Sequence, residues 1–315
     1  GPGVKGAANT ALLVLVAGCV APATDGAATD RSVPAVPVAS QPSPPAAPIP
    51  APAPAPAPVG PATFVYSGEL TQGGWIRGQA PAGTLRASLG EQALALDPQG
   101  RFFAAFDRDA GPQAVLTATL RDGRTVQSAL TISPRAWNIE RVNVPRTPGG
   151  EPNEAYMRRR EPELARIVGA RAQDTGSDGW RQNFVWPATG RISGRFGSQR
   201  IYRGGEAGSY HSGLDIAGGA GAPYVAPADG VVVLAAADQE FSLEGHLLII
   251  DHGQGLNSAF LHSSELSVRE GDRVRQGQVL GRIGSTGRAS GPHLHWSLMW
   301  RGQGLDPLLF LGPVP

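Results

Sequence analysis

Short runs in which apolar and polar side chains alternate fill residues 63 to about 145: "TFVYSGEL", "WIRGQA", "TLRASL", "RFFAAFD", "AVLTATL" and "TVQSALTIS". A period of two suits a strand that buries one face. The Gly-Gly, Pro-Ala-Gly, Pro-Gln-Gly and Asp-Gly-Arg stretches between the runs carry turn chemistry. The pattern predicts a small antiparallel β-sandwich, immunoglobulin-like in its spacing, over residues 63–145. From Asn183 onward it becomes Gly-rich short strands, "YVAPADGVVVLAA", "HLLIIDHGQG", "SAFLHSS", "RVRQGQVLGRIG" and "HLHWSLMW". These predict a second small, mostly antiparallel β-domain over 183–315, so the chain as a whole is mainly β.

Between the two, over 146–182, "EAYMRRREPELARIVGARAQD" carries Leu164, Ile167 and Val168 at helical spacing. Pro162 is expected in the first turn of this short linker helix, where a missing N–H costs nothing, and the helix charges are expected on a solvated face. Upstream, residues 20–62 are dominated by Pro and Ala, with "APAPAPAP" inside. Such a composition cannot bury a core and favours solvated polyproline II, with a reach of about 3.1 Å per residue.

Composition narrows the chemistry. The 315 residues carry a net charge of +1, and the pI is about 8.2, so no nucleic-acid partner is expected. The only cysteine is Cys19 and the only lysine Lys5. Disulfides within the chain are therefore excluded. The leading Gly-Pro reads as a residue of expression. Residues 1–19 hold one positive charge, an apolar run from Ala11 to Val16, and small residues up to the cysteine. The run is too short to span a bilayer. Val16-Ala17-Gly18-Cys19 resembles the bacterial lipobox. That resemblance implies cleavage before Cys19, acylation of its thiol and a membrane anchor. Val20, rather than Asp, follows the cysteine, and by resemblance to lipoproteins of double-membrane bacteria that implies the outer membrane, facing the periplasm.

All six histidines lie between His211 and His295. Three groups stand out: "HSGLDIA" with His211 and Asp215, "FLHSS" with His262, and "PHLHW" with His293 and His295. On a strand His293 and His295 project to one face. The spacing of His211 and Asp215 suits one face of a helix or of a strand, and Gly213 and Ile216 favour the extended form. Catalytic zinc takes three His or carboxylate ligands and keeps one position open, whereas structural zinc is usually closed by cysteines. This domain has none.

In the order "YHSGLDIAG", "APADGVVV", "IIDHGQG", "FLHSS", "GDRVRQGQVLGRIGSTG" and "GPHLHW", residues 185–310 resemble the lysostaphin-type, or LytM-like, zinc metallopeptidases of bacterial cell walls. The resemblance implies that His211, Asp215 and His295 ligate Zn2+ and that His262 and His293 are the catalytic histidines. It leaves His246 and His252 as ordinary strand-end and turn residues. It also implies an enzyme: a zinc-dependent peptidoglycan endopeptidase, a D,D-endopeptidase for the cross-link between D-alanine and a diamino acid, with peptidoglycan and cell-wall or division proteins as partners. Ser263 after the central histidine and Gly245-His246 before the "IIDHG" strand depart from the usual pattern and bear on substrate fit.

Some relatives are non-catalytic activators of cell-wall amidases that have lost a zinc residue. A wall-binding adaptor with structural histidines is a further alternative. A biotinyl or lipoyl carrier needs an acceptor lysine at a turn, which this domain lacks. Some relatives also cover the active site with an upstream segment; Asn183 is a candidate covering group here, against a plain turn role.

Overall fold

The computed structural model describes residues 34–146 and 153–315. The N-terminal signal, Cys19 and Lys5 lie outside them. Residues 34–55 are exposed and form no helix or strand. Residues from Pro56 to Pro315 form a compact unit of their own. No helix among the described residues is long and apolar enough to cross a membrane.

The alternating runs after Phe64 form two antiparallel sheets. One orders Val65–Gly68, Trp75–Gln79 and Arg101–Ala105; the other orders Gln92–Leu94, Thr84–Leu89, Gln113–Leu120 and Thr125–Thr131. Ile76, Phe102, Leu116 and Leu130 from the two sheets are buried in one shared core, where the alternation predicts them.

The C-terminal part is built on a larger sheet. In spatial order its strands are Arg273–Val274, Gly230–Ala235, His246–Gly253, Leu256–Ser263, Leu294–Trp300, Leu214–Ala217 and Arg191–Gly194, with Gln303–Leu305 pairing the far end of Leu294–Trp300. The run "HLLIID" is apolar at successive positions because both faces of this sheet are covered. Leu248 and Ile250 enter the main core, while Leu247 and Ile249 meet the helix residues Ile167 and Ala170 on the other side.

That helix spans Glu154–Arg171 and differs from expectation in two respects. Asn153 caps it, its side chain accepting from the Tyr156 N–H at 2.7 Å, so Pro162 falls midway along the helix and not in its first turn. Nor are its charges all solvated. Arg160 and Glu163 are buried, whereas Leu164 and Val168 are 43% and 68% exposed. Of the three apolar positions at helical spacing only Ile167 turns inward, because Arg160 and Glu163, paired with each other and with the loop residues Glu244 and Ser242, take the neighbouring inner positions.

The two β parts share one core rather than being strung together. Trp75 stacks on Phe310 with ring centroids 5.2 Å apart and donates its indole N–H to Leu309 O at 2.9 Å. Arg135 pairs with the buried Asp306 at 2.6 Å. The buried Arg108 donates from Nε and Nη2 to Gly197 O at 3.0 and 2.8 Å. The strand Ile139–Arg141, expected with the sandwich, pairs in parallel with Gln199–Ile201 of the C-terminal part.

Candidate metal centre

Strand register brings Asp215 and His295 together. Leu214–Ala217 runs antiparallel to Leu294–Trp300 with Asp215 directly opposite His295, so their side chains share one face. His295 Nδ1 lies 2.8 Å from Asp215 Oδ1. His211 sits just before the strand, with Nε2 at 2.9 Å from Asp215 Oδ2. Its other nitrogen faces Arg195 O at 3.0 Å. A carbonyl only accepts, so His211 carries a proton on Nδ1, and Nε2, which faces the Asp215 carboxylate, is the nitrogen that can give up its proton to a metal. One donor atom from each of His211, Asp215 and His295 lies within 4.8 Å of the other two.

Small residues keep this space clear. A Cβ on Gly194 would stand 2.5 Å from Asp215 Oδ2, and one on Gly213 would stand 2.8 Å from His295 Nε2. Neither glycine is needed for a special backbone angle here. Their role is close approach.

The remaining two predicted histidines stand beside the three. His293 Nδ1 donates to Gly291 O at 2.9 Å, and its Nε2 lies 3.8 Å from Asp215 Oδ1. His262 reaches the same place by an irregularity. Its neighbour Leu261 is opposite His295, so a regular pleat would turn His262 to the other face. Instead His262 has φ of 68°, in the left-handed region that a non-glycine residue rarely adopts. Its ring centroid is 5.1 Å from that of His293 and 6.4 Å from that of His295. Its Nδ1 donates to Thr286 O at 2.7 Å, which leaves Nε2 bare.

Electrostatics follow the geometry. Burial opposes ionisation of Asp215, but hydrogen bonds from His211 and His295 and their charge outweigh it and hold the carboxyl well below the usual range. For His211 burial is likewise outweighed, by Asp215, and its pKa rises. Burial lowers the pKa of His262, assisted by the neighbouring His293 and His295 against the Thr286 carbonyl.

Two imidazole nitrogens and a carboxylate oxygen converging on one point match the donor set of a catalytic zinc site. The His211 Nδ1–H held by a backbone carbonyl is the usual orienting contact behind such a ligand. Beside His211 opens a groove of about 520 Å³ whose lining includes Asn138, Glu140, Gln199, Arg200, Tyr202 and Tyr210. The segment after the sandwich thus supplies one wall.

The other two histidines are structural. His246 Nδ1 donates to Ala236 O at 2.8 Å. His252 is fully buried in its strand, more deeply than a turn residue. Asn183 does not reach the site: its side chain faces Arg77 at 3.5 Å and its carbonyl accepts from Gln276 at 2.6 Å. Sequence reasoning missed Thr286, Gly194 and the Arg195 carbonyl. Only Thr286 lay inside a stretch with a recognisable pattern, "GSTG".

Residues 209–307 match the model of peptidase family M23. The peptidoglycan DD-endopeptidase ShyA of Vibrio cholerae is 35% identical over 118 residues, which is 38% of this chain and 27% of that protein. The murein hydrolase activator NlpD of Salmonella dublin is 36% identical over 132 residues, 42% of this chain and 31% of that protein. The chain thus spans less than a third of either relative. A crystal structure of a Pseudomonas aeruginosa protein assigned to peptidase M23 superposes with a TM-score of 0.57 at 25% identity, covering 77% of this chain and 95% of that one. That likeness extends beyond the family match into the upstream β part.

Proposed function

With a C-terminal domain that belongs to peptidase family M23, we propose that this chain is a zinc-dependent endopeptidase of peptidoglycan. The observation that carries the reading is the convergence of His211, Asp215 and His295 on one point, with two further imidazoles beside them. His211 Nε2, one Asp215 oxygen and His295 Nδ1 would hold the ion. Zinc there would supply Lewis acidity to a substrate amide.

The chain's own groups carry the protons. His262, with Nδ1–H fixed on Thr286 O, offers Nε2 to take a proton from the attacking water. His293, once protonated on Nε2, donates a hydrogen bond to the developing oxyanion. Water adds to the carbonyl carbon, the proton held by His262 passes to the amide nitrogen, and the C–N bond breaks to give a carboxylate and an amine. The substrate we propose is the cross-link between D-alanine and a diamino acid, with the groove beside His211 receiving one peptide stem. Lipidation at Cys19 would anchor the protein to the outer membrane, and the Pro/Ala-rich segment would give the catalytic part its reach toward the wall.

The likeness to a murein hydrolase activator favours a second reading, in which the domain binds and stimulates an amidase without cleaving. Purified sacculi separate the two. The endopeptidase reading expects fragments released by this protein alone with zinc, and none with a chelator. Release only when an amidase is added, at a rate this protein raises, would establish the activator instead.

A further inference from the structure

The helix Glu154–Arg171 lies outside the family match, yet its buried charges lead to the backbone of His262. Arg160 forks onto both carboxylate oxygens of Glu244, Nη1 to Oε2 at 2.9 Å and Nη2 to Oε1 at 2.7 Å, and Nη1 also donates to Glu163 at 2.9 Å. The other Glu163 oxygen accepts from the Ser242 N–H and Oγ–H, both at 2.9 Å. The helix thereby grips a tight loop closed by reciprocal bonds between Phe241 and Gly245.

That loop holds the predicted base in two ways. Glu244 O accepts the His262 N–H at 2.8 Å, at the residue whose φ is 68°. Leu243 O accepts the Arg288 N–H at 3.0 Å, and His246 N donates to Thr286 Oγ1 at 3.1 Å. These contacts fix the 286–288 turn whose Thr286 carbonyl orients the His262 imidazole. The approach is close: a Cβ on Gly287 would stand 2.4 Å from Gly245 N.

From this continuous path we infer that Arg160 and Glu244 are positioning residues for His262, and that the helix is part of the catalytic apparatus rather than a linker. The inference rests on the reading of His262 as a proton-transfer group. A bidentate guanidinium–carboxylate pair fixes direction as well as distance. Removing Arg160 leaves the buried Glu244 without its bidentate cation and Glu163 with only Arg159 at 3.5 Å, and frees the loop to shift. A small displacement of a proton-transfer group costs one to two powers of ten in rate.

The test compares zinc-loaded full-length wild type with Arg160→Met, Glu244→Gln, Arg160→Lys and Ile167→Ala. Ile167 is buried on the same helix face and serves as a control for simple destabilisation. Arg160→Met is expected to lower kcat on cross-linked muropeptides about ten- to a hundredfold with KM nearly unchanged and zinc content intact. Arg160→Lys, which keeps the charge and loses the fork, should recover part of the loss. Nitrogen-resolved NMR of the imidazoles should show the His262 Nδ1–H signal shifted or exchanging faster in Arg160→Met and Glu244→Gln, and unchanged in Ile167→Ala. An unaltered His262 signal with wild-type kcat in Arg160→Met would overturn the inference, as would an equal kcat loss in Ile167→Ala. If His262→Ala itself kept full activity, the catalytic reading would fall while the NMR signal still decided whether the helix positions that ring.

Discussion

Acid should weaken this fold through His252. The ring is fully buried and both nitrogens are committed: Nδ1 donates to Asp229 O at 2.8 Å, and Nε2 accepts from Ser258 Oγ at 2.6 Å, while the Trp296 indole N–H donates to the same Oγ at 3.0 Å. The neutral ring satisfies this network, and a second ring proton would have to turn the Ser258 hydroxyl proton away from His252. Burial pushes the pKa of His252 down from 6.5 to about 4, against the Asp229 carbonyl and the charges of Asp251 and Asp229. Between pH 6.5 and 4 the unfolded chain therefore binds a proton that the folded chain refuses, and stability falls as pH falls through that window. At about 1.36 kcal/mol per pKa unit the loss is about 3 kcal/mol, complete near pH 4. Urea unfolding of the zinc-free protein from pH 7.5 to 4, compared with His252→Asn, measures it. The variant should be less stable at pH 7.5 and should show a pH slope shallower by about this amount. NMR titration of wild type should find the ring neutral down to about pH 4. Equal slopes in the two proteins, or a ring that titrates near 6.5, would refute the argument.

Three further outcomes follow from the site and its supports. His211→Ala, Asp215→Ala and His295→Ala should each lose most bound zinc by metal analysis, while His262→Ala and His293→Ala should keep it and lose turnover about a hundredfold or more. Gly213→Ala should weaken zinc binding about ten- to a hundredfold, because the added Cβ would press on the Trp296 carbonyl at 2.6 Å and the His295 ring at 2.8 Å, and Gly291→Ala, where a Cβ meets nothing within 4 Å, should not. A chain beginning at Gly179 should melt lower and hold zinc less tightly, as read by calorimetry and chelator competition: it lacks Trp75 on Phe310, and it lacks Arg108 on Gly197, whose N–H in turn holds His211 O at 2.8 Å.

The candidate ligands were legible as motifs, "HSGLD" and "HLH", and two of them, Asp215 and His295, lie on paired strands, where a period of two decides which side chains share a face. Strand register then placed Asp215 against His295 with no further signal needed. His262 is the instructive exception. Its motif named it, but the pleat alone would have turned it away, and only a left-handed backbone angle that no pattern announces brings it in. The helix failed for a different reason. Leu164 and Val168 obeyed the helical period, yet burial went to Arg160 and Glu163, because their partners Glu244 and Ser242 lie about eighty residues away. Pairing at that distance leaves no local trace. The shared core between the β parts was invisible likewise: Trp75 reads as one more alternating aromatic until Phe310 is placed on it.

The central claim is that this chain itself cuts peptide cross-links with a metal held by His211, Asp215 and His295. It is tested most directly by incubating the zinc-loaded full-length protein with a defined cross-linked muropeptide dimer and weighing the products. The account predicts two monomers whose summed mass exceeds that of the dimer by one water, cut between D-alanine and the diamino acid, with no products from Asp215→Ala or His262→Ala. An intact dimer from protein carrying stoichiometric zinc would contradict it.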